Sequence, residues 1–147
     1  MTTHLETRLK IESFDEPPYR EFDDGAKLTK GTLSMTVADE AVEAEVAWDA
    51  LSFFAADGKA SYVGLMLVVG RIGERSGSVV LRGSGDYDGT RARIDLTVLP
   101  GSGTGELAGM RGTATSVSTH EDYPYMPLAL DYDIDSDIDP DIDPDIG

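Results

Sequence analysis

Apolar and β-branched residues alternate with polar ones along most of this chain, in runs cut by Gly, Asp and Pro. The pattern predicts eight strands, over roughly 5–14, 28–37, 42–54, 60–72, 75–86, 90–99, 112–119 and 126–134, and almost no helix. The stretches ADGK (56–59), IGER (72–75) and YDGT (87–90) read as hairpin turns. Regularly spaced strands joined by tight turns predict an antiparallel barrel or sandwich.

The turns also predict registers. Ile72 opposite Arg75 places Met66 opposite Leu81 and Gly64 opposite Gly83. Tyr87 opposite Thr90 places Gly83 opposite Ile94 and Leu81 opposite Leu96. Ala56 opposite Lys59 places Phe53 opposite Tyr62, Leu51 opposite Gly64 and Asp49 opposite Met66. Because side chains alternate faces, the interior face is then predicted to hold Asp49, Leu51, Phe53, Tyr62, Gly64, Met66, Val68, Val79, Leu81, Gly83, Ile94, Leu96 and Val98. The outer face takes Ser78, Arg82, Arg91, Arg93, Asp95 and Thr97. One conflict stands on the third strand, where Val42, Val46 and Trp48 alternate with Glu43 and Glu45. A bulge near Asp49–Ala50 resolves it and turns Trp48 inward. Without the bulge, Val46, Trp48, Val63, Leu65, Leu67 and Val69 form an apolar outer patch, a candidate homodimer face.

The glycine-rich run PGSGTGELAGMRG (100–112) formally contains a dinucleotide-binding spacing at Gly103–Ala108. That spacing needs a following crossover helix, and TATSVS reads as strand. The glycines are therefore expected to serve a tight corner. The run is similar to the glycine-rich corner of allene oxide cyclase-like and dirigent-like barrels. One bacterial branch, a domain of unknown function, resembles this chain over most of residues 5–134. Its members carry DEKPY, KLT, DGxAxFVGLE, GRSGSFVLxHxG and VPGSGTGELAGLRG. This chain has DEPPY (15–19), KLT (27–29), DGKASYVGLM (57–66), ERSGSVVLRGSG (74–85) and VLPGSGTGELAGMRG (98–112) in the same order. The resemblance implies an all-β, eight-stranded antiparallel barrel with a lumen that binds apolar small molecules. Some relatives guide cyclisation without a cofactor. Met66 and Gly83 replace polar residues of the branch and Asp49 keeps a carboxylate, which implies a wider, more apolar lumen.

The chain's 147 residues suffice for one domain, assigned to 1–134, with an Asp/Ile/Pro-rich acidic tail over 135–147. From Asp131 to Asp145 every odd position is Asp. The formal net charge of −16 argues against nucleic acid and anionic membrane surfaces. There is no cysteine, hence no disulfide framework or thiolate chemistry. The N-terminus lacks a signal-peptide core and no run is long enough to span a bilayer; a cytoplasmic protein is expected.

Asp49 is the candidate catalytic residue: a carboxylate in an apolar lumen has a raised pKa and suits general acid–base work. The competing reading is a solvated Asp49, or one paired with Lys30. Trp48, Leu51, Phe53, Tyr62, Met66, Leu81, Ile94 and Leu96 are the candidate substrate-binding residues, with plain core packing as the alternative. His4 and His120 are too few for zinc; no metal and no cofactor are expected. Glu106 and Arg111 are expected to tie down the glycine corner. For the tail, a solvated acidic segment, an extended strip over the barrel and a calcium site are the alternatives. The expected function is a cofactor-independent cyclase or isomerase of an apolar, polyketide-like molecule. The alternatives are a non-catalytic hydrophobic-ligand carrier and a protein-interaction module.

Overall fold

The structure is a computed structural model and describes residues 2–134; the predicted acidic tail, 135–147, lies outside the described residues. Ten strands form: β1 (Thr3–Asp15), β2 (Pro18–Glu21), β3 (Lys27–Ala38), β4 (Val42–Phe54), β5 (Ala60–Ile72), β6 (Arg75–Tyr87), β7 (Arg91–Val98), β8 (Thr104–Gly105), β9 (Met110–Thr119) and β10 (Tyr125–Ile134). All eight predicted strands are present. Each pairs antiparallel with its neighbours in the order β1-β10-β9-β7-β6-β5-β4-β3, and β1 pairs β3 to close the barrel. The two extra strands are short. β2 continues along β3 where β1 leaves off, and β8 adds to the start of β6. The 3-10 turn His120–Asp122 is the helical element among the described residues.

Two of the three predicted turns need correction. Ile72 does face Arg75, and Met66 faces Leu81 as expected. Between β4 and β5, however, Phe54 faces Ala60. Ala55 donates to Lys59 across the turn at 2.8 Å, and Gly58 takes a positive φ of 90°, the signature of a three-residue loop with a glycine bulge. That extra residue slips the register by one and reverses every side chain of β4. Trp48 now faces Met66, and Asp49 faces Leu65. Trp48 is buried, while Asp49, Leu51 and Phe53 point outward. No bulge interrupts β4, whose ladders with β3 and β5 run unbroken. The conflict over Glu43 and Glu45 disappears, because both lie outside.

The β6–β7 turn is also longer than predicted. Asp88 accepts from the amides of Thr90 and Arg91 at 2.9 and 2.8 Å, so Tyr87 faces Ala92 and Gly83 faces Leu96. This slip is two residues, so the faces stay as predicted.

The core is the barrel interior. Leu9, Met35, Met66, Val79, Leu96 and Leu107 are each at most 1–2% exposed. The glycine-rich run proves to be a corner that feeds this core. Gly105 and Gly109 take positive φ values of 60° and 82°, which a side chain rarely allows. Their turns bring Leu107, fully buried, under the barrel end. Glu106 ties the corner to Ser76: its amide donates to the Ser76 carbonyl at 2.8 Å and its carboxylate accepts from the Ser76 amide at 3.2 Å.

Candidate functional site

The two ends of the barrel interior differ. At the end carrying the glycine corner, Leu5, Leu9, Val46, Met66, Leu81 and Met110 leave a void of about 30 Å³, the space of a single water. At the other end a cavity of about 420 Å³ opens to solvent, within the range of small-molecule sites. Its floor and walls include Trp48, Ala50, Tyr62, Ala92, Ile94 and Met126. Phe14 and Tyr123 stand at its mouth, 59% and 72% exposed.

Of the residues predicted to bind substrate, Trp48, Tyr62 and Ile94 line this cavity together. Met66 and Leu81 lie in the packed half, and Leu96 is 2% exposed in the core. Leu51 and Phe53 are 51% and 43% exposed on the outer face. Gly83 does not widen the lumen as the resemblance implied. A Cβ on Gly83 would sit 2.5 Å from Leu96 Cδ2, so Leu96 fills that space; Gly64 lies against the backbone of Ala50. Ala92, by contrast, does leave room. Asp49 lines a shallow outer groove with Lys30, Leu51, Val63, Leu65 and Arg82, and the Lys30 facing it by prediction faces Leu51 instead.

The carboxyl group in the cavity belongs to Glu16. Its position follows from the DEPPY stretch. β1 pairs with β3 as far as Asp15–Thr32, and pairing resumes at Pro18–Thr29. Pro17 has no N–H to continue the ladder, but its carbonyl accepts from Lys30 N at 3.1 Å. The break between the two paired segments turns Glu16 to the inside, over Gly31, where a Cβ would lie 2.9 Å from Glu16 Oε2. Partial burial pushes the Glu16 carboxyl above the ordinary glutamate range, against a smaller downward pull from the Thr29 hydroxyl and the Lys27 charge. Thr29 itself is buried and its Oγ1 has no hydrogen-bond partner of full geometry.

The remaining polar groups of the cavity are largely committed. Tyr62 OH lies 3.0 Å from the Asp86 carbonyl and 3.2 Å from that of Arg93. Burial, with the nearby Asp86 charge, raises its pKa to about 12. At the rim, His120 Nε2 lies 3.0 Å from Tyr87 OH, which donates to the Gly89 carbonyl at 2.9 Å. Ser52 is buried in the wall and Ser118 faces the cavity. A flat, apolar molecule of modest size fits the walls, and Glu16 offers it a carboxyl able to donate or accept a proton. Among the described residues no group of three His, Asp or Glu side chains could hold a metal ion, and no helix is long and apolar enough to cross a membrane.

The family model described as protein of unknown function (DUF3224) matches residues 6–132. The chain belongs to DUF3224. It is also similar to a crystal structure of a DUF3224-family protein of unknown function from Shewanella oneidensis MR-1, at 28% identity and a TM-score of 0.75. That match covers 92% of this chain and 99% of the other. No curated protein matches the chain. The DUF3224 match runs from within β1 to within β10 and includes the DEPPY break that carries Glu16 and the glycine corner.

Proposed function

We propose that this DUF3224 barrel binds a small, mostly apolar molecule in its open end, with Glu16 meeting the molecule's polar group. The observation that carries this reading is the asymmetry of the interior: one end packed to a void of about 30 Å³, the other open to about 420 Å³ around one carboxyl. Random packing defects do not concentrate in one half of a barrel and line themselves with Trp48, Tyr62 and Ile94. The sequence resemblance of the glycine corner to allene oxide cyclase-like and dirigent-like barrels, whose lumens take apolar molecules, points the same way.

Trp48 is the only tryptophan of the chain and lines the cavity, so its fluorescence reports occupancy. Titration with 1-naphthol, a flat probe with one hydroxyl, is expected to quench Trp48 saturably. Ala92→Phe, which fills the cavity, is expected to abolish the effect, and Glu16→Leu to weaken it. Quenching that never saturates, or that survives Ala92→Phe, overturns the reading.

The raised Glu16 carboxyl favours a second step, cofactor-independent isomerisation or cyclisation of the bound molecule. A carboxylate whose pKa is raised is a stronger base, and a well-placed general base contributes roughly 10²–10⁴-fold to a proton-transfer step. In D2O, the Glu16 carboxylate would take the α-proton of bound 2-tetralone, leaving the enolate; the carboxyl proton would exchange for a deuteron from solvent, and that deuteron would return to the same carbon. Deuterium uptake by mass spectrometry is expected to exceed the buffer rate and to fall to it in Glu16→Gln. Equal rates in wild type and variant leave a carrier.

A further inference from the structure

The outer face of β5 presents a feature unrelated to the cavity. Val63, Leu65, Leu67 and Val69 stand in line on it, 57%, 49%, 42% and 47% exposed, with Leu51 of β4 alongside at 51%. A contiguous exposed strip of this kind on a sheet is unusual for a protein that stays single. The charges flanking it are arranged by the ladder. Asp49, Leu65 and Arg82 are direct cross-strand neighbours on β4, β5 and β6. The adjacent row reads Lys30, Leu51, Val63, Ser84 and Asp95 across β3 to β7. Each row therefore has a charge on one side of β5 and its opposite at the same distance on the other side.

We infer that this face is the interface of a two-fold dimer of the chain, with the axis along β5, so that Asp49 of each copy pairs with Arg82 of the second copy. Rotation by 180° about an axis lying along β5 keeps each row at its own height and exchanges left for right. Leu65 then meets Leu65, Val63 meets Val63, and Leu67 meets Leu67. Asp49 meets Arg82 twice, while Lys30 and Asp95, two strands from β5 on a closed barrel, curve away from the contact. The alternative face-to-face two-fold, with its axis across the strands, superposes β4 on β4 and sets acidic strand against acidic strand, because Glu43, Glu45 and Asp49 all lie outward there. The usual rotation of about 30° between stacked sheets displaces the flanking strands by roughly 2–3 Å at a strand spacing of ~4.8 Å, within the reach of an arginine. Within the protomer, Asp49 and Arg82 have no hydrogen bond or ion pair among the described residues, whereas Asp95 is held by Arg93 at 3.1 Å. The Asp49–Arg82 pair is thus the one left for the second copy. A membrane is a poor occupant for the same strip, since a net charge of −16 is repelled by anionic lipid.

Sedimentation velocity of the full chain, at about 0.15 M salt where repulsion beyond roughly 8 Å is screened, tests the inference. The wild type is expected to sediment at twice the protomer mass. Asp49→Arg and Arg82→Asp each set like charges together twice, and each is expected to weaken association by about tenfold or more. Mixed one to one, the two variants regain complementarity and are expected to form the heterodimer. The double variant, with both charges exchanged, is expected to form the homodimer. This rescue also shows that the single variants fold. A wild type of protomer mass at every concentration overturns the inference. So do single variants that stay dimeric, or a mixture and a double variant that stay monomeric.

Discussion

The two halves of this barrel are built from the same strands, yet they are made for different ends. At the glycine-corner end, Leu107 is pushed under the barrel, Met66 is fully buried, and Arg71 clamps the turns by donating to the carbonyls of Gly73, Glu40 and Asp39 at 2.6, 3.3 and 3.2 Å. The Thr7 hydroxyl also binds the Asp39 carboxylate there. At the other end, residues at equivalent inward positions are small: Ala50, Ser52, Ala92 and Ser118. One end is closed by side-chain volume and backbone clamps. The other is held open by small residues and a broken strand. The contrast teaches that strand pairing sets the barrel, while inward residue size decides where the barrel is hollow.

Substitutions can break or sharpen this contrast. The largest effect is expected from Met66→Ala, which opens a cavity in the packed half and is expected to cost about 2–5 kcal/mol in denaturant unfolding. Ala92→Phe adds volume at the open end and is expected to change stability by less than about 1 kcal/mol, since it fills space already present. Equal costs would erase the distinction. Tyr62→Phe removes the phenol bond to two carbonyls, a loss of roughly 0.5–1.5 kcal/mol. Because the Tyr62 pKa is raised from 10.0 to about 12, the stability it supplies is present below pH 10 and lost as pH rises toward 12. The variant should lack that alkaline loss.

Glu16→Gln should act more weakly and with a distinctive pH dependence. The folded pKa of Glu16 lies above its unfolded value, so its contribution is complete below the unfolded pKa and is lost as pH rises through the folded one. Relative to wild type, the variant is therefore expected to gain stability between acid and neutral pH, read by melting temperature across that range. Gly31→Ala should have the smallest effect on stability, within roughly 0.5 kcal/mol, because the added Cβ meets the far end of a flexible side chain. It should nevertheless displace the Glu16 carboxyl and shift the pH midpoint measured for the wild type. An unchanged midpoint would mean that the carboxyl does not rest over Gly31.

Much of the fold was legible in the sequence because two-residue alternation is written directly into β-strands. Leu81, Ile94, Leu96 and Val98 alternate with Arg82, Arg93, Asp95 and Thr97, and no reading of the turns could reverse those faces. β4 was different. Its outer side carries Leu51 and Phe53 and its inner side Ala50 and Ser52, so hydrophobicity points the wrong way at that end of the strand. The first half of the strand, with Val42, Val46 and Trp48 against Glu43 and Glu45, gave the right face, and the turn assigned without the bulged glycine at Gly58 overrode it by one residue. The same inversion sent Asp49 outside. Glu16 escaped notice because two prolines follow it, and a proline pair reads as loop rather than as a strand changing direction. The signal available was the DEPPY stretch itself, a carboxylate at a strand break. The corner strand β8, with two residues, is below any alternation signal.

The broken strand has a further consequence, for self-assembly of the undesirable kind. Closing β1 onto β3 leaves the long strands of the barrel with no unpaired edge, so little backbone is free to template amyloid-like growth. Among the described residues the strands paired on one side only are the two short ones, two-residue β8 on β6 and β2 on β3. β2 is four residues long, starts at Pro18 directly after Pro17, and exposes Arg20 and Glu21. Proline, brevity and charge are the devices that make an edge strand a poor template. The break that turns Glu16 inward thus also leaves the loose edge at β2 inert.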